Sequence, residues 1–308
     1  MDIYTHKKGI GFVKSKKISP RSENWVDLVS PTETELKEIS KKFKIPLFLL
    51  KREKRPHRPK FENFKKFVAF NFKKVKFNKE ISTQHVTFIF AERYLITIHS
   101  GLQELSELKK KINKKDFEVR HVTDSDYLLY LMLEDLIESF FPILEKIDAK
   151  IEKLQRVVFD EVGQAVLEEI FELRQIVFEL HKILAAEREV LLFLHEGVPG
   201  IKDKNVMYFK DLYNHLLQIT DEEEIAREVL GNTAETYVSV TNNRIQDATK
   251  VLTVIATILL PMTVITGIYG MNVSFPEAKV PGFYYAILGI LAMSGLGTYL
   301  YFKRKGWA

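Results

Sequence analysis

The 308-residue chain contains no cysteine. Disulfides, thiolate metal centres and thiol catalysis are therefore excluded. It also lacks a Walker A loop, a Gly-x-Gly-x-x-Gly dinucleotide fingerprint and a His-Glu-x-x-His zinc helix. The eight histidines are scattered without ligand spacing and read as surface or core residues. The opening segment, "MDIYTHKKGI", has no apolar stretch of the kind a signal peptide needs, so the large N-terminal part is expected to stay in the cytoplasm. Neither an enzyme nor a cofactor requirement emerges from what remains.

Acidic residues are scarce at one end and abundant further on. Residues 1–80 hold 22 Lys and Arg against 9 Asp and Glu, a balance of +13, while residues 134–235 hold 11 against 23, a balance of −12. The split predicts a basic module followed by an acidic helical one. Nucleic acid is the sharper reading of the basic half. However, "KREKRPHRPKFENFKKF" spaces its charges around Phe as a solvated sheet surface would, and no recognition motif accompanies them. No nucleic-acid partner is expected.

The first 120 residues read as mixed α and β. "GIGFVKS", "NWVDLVS", "KKFVAFNFKKVKF", "TQHVTFIFAE" and "RYLITIHS" are rich in Phe, Val, Thr and Ile and read as strands. "PTETELKEISKKF" places Thr32 and Glu35 at capping-box spacing ahead of a helical pattern. From Asp124 apolar residues recur every three or four positions through Phe159, and again from Gln164 to His195. "EGVPGIKDKN" interrupts the pattern, and a further helical run extends from near Lys204 to Gly270. Within it "TDEEEIAREV" reads as a helix start favoured by N-terminal negative charge.

Long apolar runs occur only near the C-terminus. Residues 251–270 and 283–302 each hold twenty residues and no charge. Twenty helical residues span about 30 Å, the thickness of a bilayer's hydrocarbon core. The whole-chain mean hydropathy of −0.10 conceals both runs because the rest is strongly polar. Two buried helices of a soluble bundle would be the plainer reading, but such helices rarely avoid charge throughout. Lys303, Arg304 and Lys305 follow the second run, and the connecting loop carries only Glu277 and Lys279. Positive-inside bias puts both termini in the cytoplasm of a multi-pass protein of the cell membrane, in contact with lipid.

Stepping by sevens from Glu235 gives Asn242, Thr249, Ala256, Thr263 and Gly270; the set offset by four gives Ser239, Gln246, Thr253, Leu260 and Gly267. Together they form one helix face with a 3.5-residue repeat. Every member except Leu260 is small or polar. Tight helix packing within a membrane would account for small residues. It does not require Gln246, Asn242 and Glu235 below the membrane, and a wettable face shared by symmetric copies is a candidate pore lining.

Tyr269-Gly270-Met271-Asn272, set between two C-terminal spans, resembles the signature of the CorA family of magnesium channels. "KVLTVIATILLPMTVITGIYGMN" is similar to the family's pore helix almost throughout. "HRPKFENF" resembles its Arg-Pro-Lys strand start, "DYLLYLMLEDLIESFFPILEKID" its first long helix, and "YFKDLYNHLLQITD" the beginning of its pore helix. The resemblance implies an α+β membrane protein, a homopentamer in which an N-terminal α/β/α cytoplasmic domain and long helices form a funnel above two transmembrane helices. Its segments would be the α/β domain (1–123), long helices (124–202), a stalk and pore-lining helix (203–270), an external loop (271–282), and a second span with a basic tail (283–308). Mg²⁺ would be the transported ion and a regulatory one, with Co²⁺ or Ni²⁺ tolerated. Asn272 would hydrogen-bond the ion's water, Gly270 would allow the turn, and Tyr269 and Met271 would brace it. Glu277 reads either as a charge at the outer mouth or as an ordinary loop carboxylate. Asn272-Val273-Ser274 matches a glycosylation sequon by chance.

Three departures from the family pattern bear on mechanism. Gln246 stands where relatives usually carry a pore-facing Asn, and Thr249 where a bulky Met helps form the constriction, although Leu252 is retained. Leu50 and Lys51 replace a Glu-Asp pair whose Asp, with the residue matching Asp211, binds regulatory Mg²⁺ between subunits. Lys51 would then face Asp211 as a fixed cation, unless the loop is shifted so that Glu53 takes the place. A Zn²⁺ transporter of the same superfamily and a membrane-anchored sensor remain as alternative functions.

Overall fold

A computed structural model describes residues 1–8, 10–51, 61–78, 80–114, 122, 124–160, 163–273, 276 and 280–307. They fall into two compact units: Met1–Val157 with Gly163–Thr233, and Val158–Val162 with Ala234–Ala308.

In chain order the elements of the first unit begin with β1 (Asp2–Lys7), β2 (Gly11–Ser15) and β3 (Asn24–Val29). Helices α1 (Glu33–Phe43) and α2 (Leu47–Leu50) follow, then β4 (Phe61–Phe64), β5 (Phe67–Phe77), β6 (Ile81–Ala91) and β7 (Tyr94–His99). Next come α3 (Gln103–Lys114), α4 (Ser125–Glu138), α5 (Phe141–Asp160), α6 (Gln164–His195) and the first part of α7 (Val206–Tyr269). The second unit holds the rest of α7 and α8 (Phe283–Arg304).

The strands form one sheet in the order β2-β1-β3-β7-β6-β5-β4, antiparallel except for the β3–β7 pair. Successive strand side chains alternate between faces. Val26 and Leu28 of β3 and Ile96 and Ile98 of β7 pack with Leu36, Ile39 and Leu49 of α1 and α2. Their neighbours Trp25, Asp27 and Thr97 are equally buried, and α3, α4 and α6 supply contacts to the sheet or to one another. A strand covered on both faces has no need of polar alternation, which is why "NWVDLV" is buried at five of its six positions. Thr32 caps α1: its side chain accepts from the Glu35 N–H and the Glu35 carboxylate accepts from the Thr32 N–H, the predicted reciprocal pair.

Two helical expectations need correction. The run from Asp124 to Phe159 is not one helix: Ser139 and Phe140 separate α4 from α5, and Pro142, which has no N–H to offer, stands in the first turn of α5. "TDEEEIAREV" does not start a helix; it lies inside α7. Leu216, Ile219, Ala226 and Leu230 continue a buried stripe through it, so packing carries the helix past the charges. Glu223 in that run is fully buried, 2.8 Å from Nδ1 of His181 on α6.

Candidate ion pathway

α7 contains 64 residues, about 96 Å at 1.5 Å per residue. Its final third and α8 are each long and apolar enough to cross a membrane, and the chain itself covers little of either. Where α8 does cover α7, the contact is specific. Val254 is buried, Ile258, Pro261, Met262 and Ile265 are half-buried, and the Met262 methyl and Ile258 reach over Gly295.

At 100° per residue, positions 254, 258, 261 and 265 share one face, and the stripe through Thr249, Thr253, Ala256, Leu260, Thr263 and Gly267 lies on roughly the opposite one. All six residues of that stripe are exposed, as are Glu235, Ser239, Asn242, Gln246 and Leu252. The stripe residues are therefore brought together on a single face that α8 leaves free.

The threonine hydroxyls on α7 point their protons inward. Thr249 donates to the Ile245 carbonyl at 2.8 Å, Thr253 to Thr249 at 2.8 Å, Thr257 to Thr253 at 2.7 Å and Thr263 to Leu260 at 2.8 Å. Each donor is satisfied locally, which an apolar environment demands. The oxygen lone pairs remain able to accept.

At the end of α7 the Gly270 N–H bonds the Thr266 carbonyl at 2.8 Å. A Cβ on Gly270 would lie 2.8 Å from that same oxygen, closer than side chains come, so the turn requires glycine. Tyr269 packs edge-on against Phe283, the first residue of α8, with ring centroids 5.4 Å apart. Met271 and Asn272 are exposed. Glu277, Glu53 and the Arg-Pro-Lys segment lie outside the described residues.

Lys51, at the end of α2, pairs with Glu33 at 2.7 Å, and Asp211 is 3.8 Å from the His215 ring one turn on. Within one chain, then, Lys51 and Asp211 each have another neighbour. Among the described residues no three His, Asp or Glu side chains are placed to hold a metal.

Several polar sites escaped the sequence reading. Lys202, in the α6–α7 connection, bridges Glu23 at 2.7 Å and Asp124, which Lys204 also reaches. The Lys202 N–H donates to Asp126 at 2.8 Å. Burial alone would raise the Asp124 carboxyl, but the two ammonium groups outweigh it and hold it down at about 2. In the second unit Arg244 Nη2 donates to the Phe159 and Asp160 carbonyls at 3.0 and 2.9 Å, closing the end of α5. These partners are far apart in sequence and carry no spacing signal.

Residues 22–304 match the family described as CorA-like Mg²⁺ transporter protein. The chain is 31% identical over 255 residues to the cobalt/magnesium transport protein CorA of Thermotoga maritima, covering 81% of this chain and 73% of that protein. Against the corresponding protein of Methanocaldococcus jannaschii it is 29% identical over 287 residues, covering 92% and 90%. The complete structure of the CorA magnesium transporter from Methanocaldococcus jannaschii superposes with a TM-score of 0.85 at 28% identity, covering 100% of this chain and 98% of that one. The ZntB cytoplasmic domain from Vibrio parahaemolyticus, at 10% identity and a TM-score of 0.64 over 80% of this chain, shares the fold alone. A single sheet-and-helix unit, a long helix running into the first apolar span and a second apolar helix beside it are common to this chain and the full-length relative, and the chain belongs to the CorA family.

Proposed function

We propose that the chain is the subunit of a homopentameric Mg²⁺ channel that also passes Co²⁺ or Ni²⁺, with both termini in the cytoplasm. One observation carries the reading: the polar stripe of α7 is exposed and turned away from α8. Five such stripes facing an axis would line a wet path, with α8 outside against lipid.

The chemistry of the stripe suits a hydrated cation. Mg²⁺ releases water reluctantly, and the protons of its bound waters point outward, so the wall must accept hydrogen bonds. Threonines whose protons are already given to their own helix can only accept. Asn272 offers amide oxygens in the exposed turn above them. Neutral acceptors hold the ion less firmly than carboxylates would, and conduction needs an ion that can leave. Leu252 and Leu260 give apolar rings able to gate by dewetting. Glu277 is assigned to a ring of charge at the outer mouth that concentrates cations.

Regulation at Asp211 is assigned differently from that of relatives. Lys51 places an ammonium where a carboxylate would complete a Mg²⁺ site, so feedback by internal Mg²⁺ is weak in this protein. The mutant Lys51→Asp, compared with the parent for inhibition by internal Mg²⁺, tests this. Strong and equal inhibition of both removes the idea.

Flux of Mg²⁺ into proteoliposomes loaded with an indicator tests the main reading. The parent is expected to conduct and Asn272→Ala to lose most of that flux. Absence of flux in the parent under every ionic condition would favour a membrane-anchored sensor. A series with Mg²⁺, Co²⁺, Ni²⁺ and Zn²⁺ fixes the preferred ion.

A further inference from the structure

The last residues of the chain, "YFKRKGW", build a defined structure beyond the second span. The Trp307 N–H bonds the Phe302 carbonyl at 3.0 Å and the Gly306 N–H bonds the Lys303 carbonyl at 3.1 Å. Gly306 has φ +71, the left-handed conformation that glycine adopts without steric cost. This pair of bonds around a left-handed glycine is a Schellman cap, and its usual apolar contact is present: Trp307 stacks on Phe302 with centroids 5.7 Å apart and planes at 23°. The cap folds the tail back along α8 instead of letting it run into solvent.

Three cations stand at this helix end, two of them over aromatic rings one turn back. Lys305 lies 5.3 Å from the centre of the Tyr301 ring and Lys303 lies 6.0 Å from that of Tyr299. Arg304 stands between them, exposed. Among the described residues none of the three has a carboxylate within ion-pair distance. The carbonyl end of α8 neutralises them only in part. Unlike Lys74, Lys109 and Lys202, which are matched to acids, these three stand unmatched directly after an apolar span.

We propose that this capped turn is a headgroup site for an anionic phospholipid of the adjoining leaflet. The phosphate is held by Lys303, Arg304 and Lys305, and the half-exposed indole of Trp307 lies at the apolar–polar boundary, the depth at which tryptophan is enriched. Position favours a lipid over a soluble anion, since the cations follow directly on a twenty-residue apolar span. Anionic lipid near a membrane surface attracts each Lys or Arg by an amount equivalent to roughly fivefold in affinity, so three together give roughly a hundredfold preference over zwitterionic lipid. The inference rests on α8 spanning a membrane and is independent of which ion the protein carries.

The chain supplies its own probe. It has two tryptophans, Trp25 and Trp307, and Trp25 is completely buried in the sheet domain. Quenching of tryptophan fluorescence by lipids brominated near the headgroup therefore reads Trp307. The full chain is reconstituted in phosphatidylcholine liposomes doped with brominated phosphatidylglycerol or brominated phosphatidylcholine, and Mg²⁺ flux is recorded in the same vesicles. Stronger quenching by the anionic lipid at equal mole fraction supports the site. The preference should disappear in the triple variant Lys303→Gln, Arg304→Gln, Lys305→Gln. Gly306→Ala should weaken it several-fold at constant charge, because alanine resists the left-handed cap, whereas Gly306→Asn should keep it. Equal quenching by both lipids in the parent, or an undiminished preference in the triple variant, overturns the proposal. Displacement of brominated phosphatidylglycerol by inorganic phosphate at matched ionic strength would assign the turn to a free anion and overturn it as well. Loss of flux with the preference intact would count against the channel reading alone.

Discussion

The sheet domain and the second unit both contain polar groups in apolar surroundings, and they treat them in opposite ways. In the sheet domain Asp27 is completely buried, accepting from Thr97 and from His99 Nε2 at 3.0 Å and paired with Lys109. His99 is oriented by the Gly101 and Leu102 N–H groups, which its Nδ1 accepts at 3.0 and 2.9 Å. Trp25 Nε1 donates to Thr97 at 2.9 Å. The network is nearly closed upon itself, with partners drawn from β3, β7 and α3. On the exposed stripe of α7 the threonines Thr249, Thr253 and Thr263 satisfy their donors through their own helix backbone. Their acceptors face outward. The first arrangement is complete in one chain; the second becomes useful only when something outside the chain, water or another copy, meets it. That contrast separates a polar network that stabilises from one that, in the channel proposed above, would line the ion path.

Removing the acid at the centre of the closed network should have the largest effect. Burial would raise Asp27, but the His99 and Lys109 partners hold it below the usual carboxylate range. Asp27→Ala leaves Lys109 largely buried and without its inner partner, and should cost about 3–5 kcal/mol of stability. Thermal unfolding followed by Trp25 fluorescence measures it. A loss under 1 kcal/mol would mean the network is not closed.

The lysine clasp tests whether ion pairs at the edge of the same domain behave like its centre. Asp124 titrates at about 2 in the folded protein against an ordinary value near 3.8. A carboxyl lowered by folding contributes stability that is present above its unfolded value and lost as the pH falls through the folded one. Stability should therefore decline between pH 4 and pH 2. Lys202→Met should flatten that decline and cost about 1–2 kcal/mol at neutral pH, discounted because the lysine is partly exposed. An unchanged acid limb would show that the clasp is decorative.

On the open stripe the readout reverses. Thr263→Val removes an acceptor of near-identical shape and should leave melting unaltered, while reducing Mg²⁺ flux roughly fivefold if the passing ion loses one hydrogen bond of about 1 kcal/mol. Thr298→Val in α8, whose hydroxyl also bonds its own helix, is the control and should conduct normally. Equal flux loss in both would erase the difference between the two helices. The smallest change is expected at the α1 cap, where Thr32→Ala should lower stability by about 1 kcal/mol without touching flux.

Much of this was legible beforehand because it depends on local periodicity. The capping box at Thr32, the strands from Phe67 to His99 and the two uncharged spans each follow from residues within one turn or one strand of each other. The 3.5-residue repeat from Glu235 to Gly270 likewise needed only counting. Reading failed where the deciding partner was remote. "TDEEEIAREV" has the composition of a helix start, yet its apolar residues belong to a stripe that begins far upstream. The break at Ser139 falls within an unbroken apolar pattern. Lys202 finds Glu23 across 179 positions, and no spacing rule reaches that far.

The amino-acid order alone determined that this chain has two uncharged spans, a wettable face on the first, and a glycine, Gly270, where that helix ends, because hydropathy, helical period and backbone sterics act over a few residues. Only the tertiary structure decided which face of α7 is covered. It placed Ile258 and Met262 over Gly295 of α8 and left Thr253, Thr263 and Gly267 exposed, since a helix pattern fixes what lies on a face but not what packs against it.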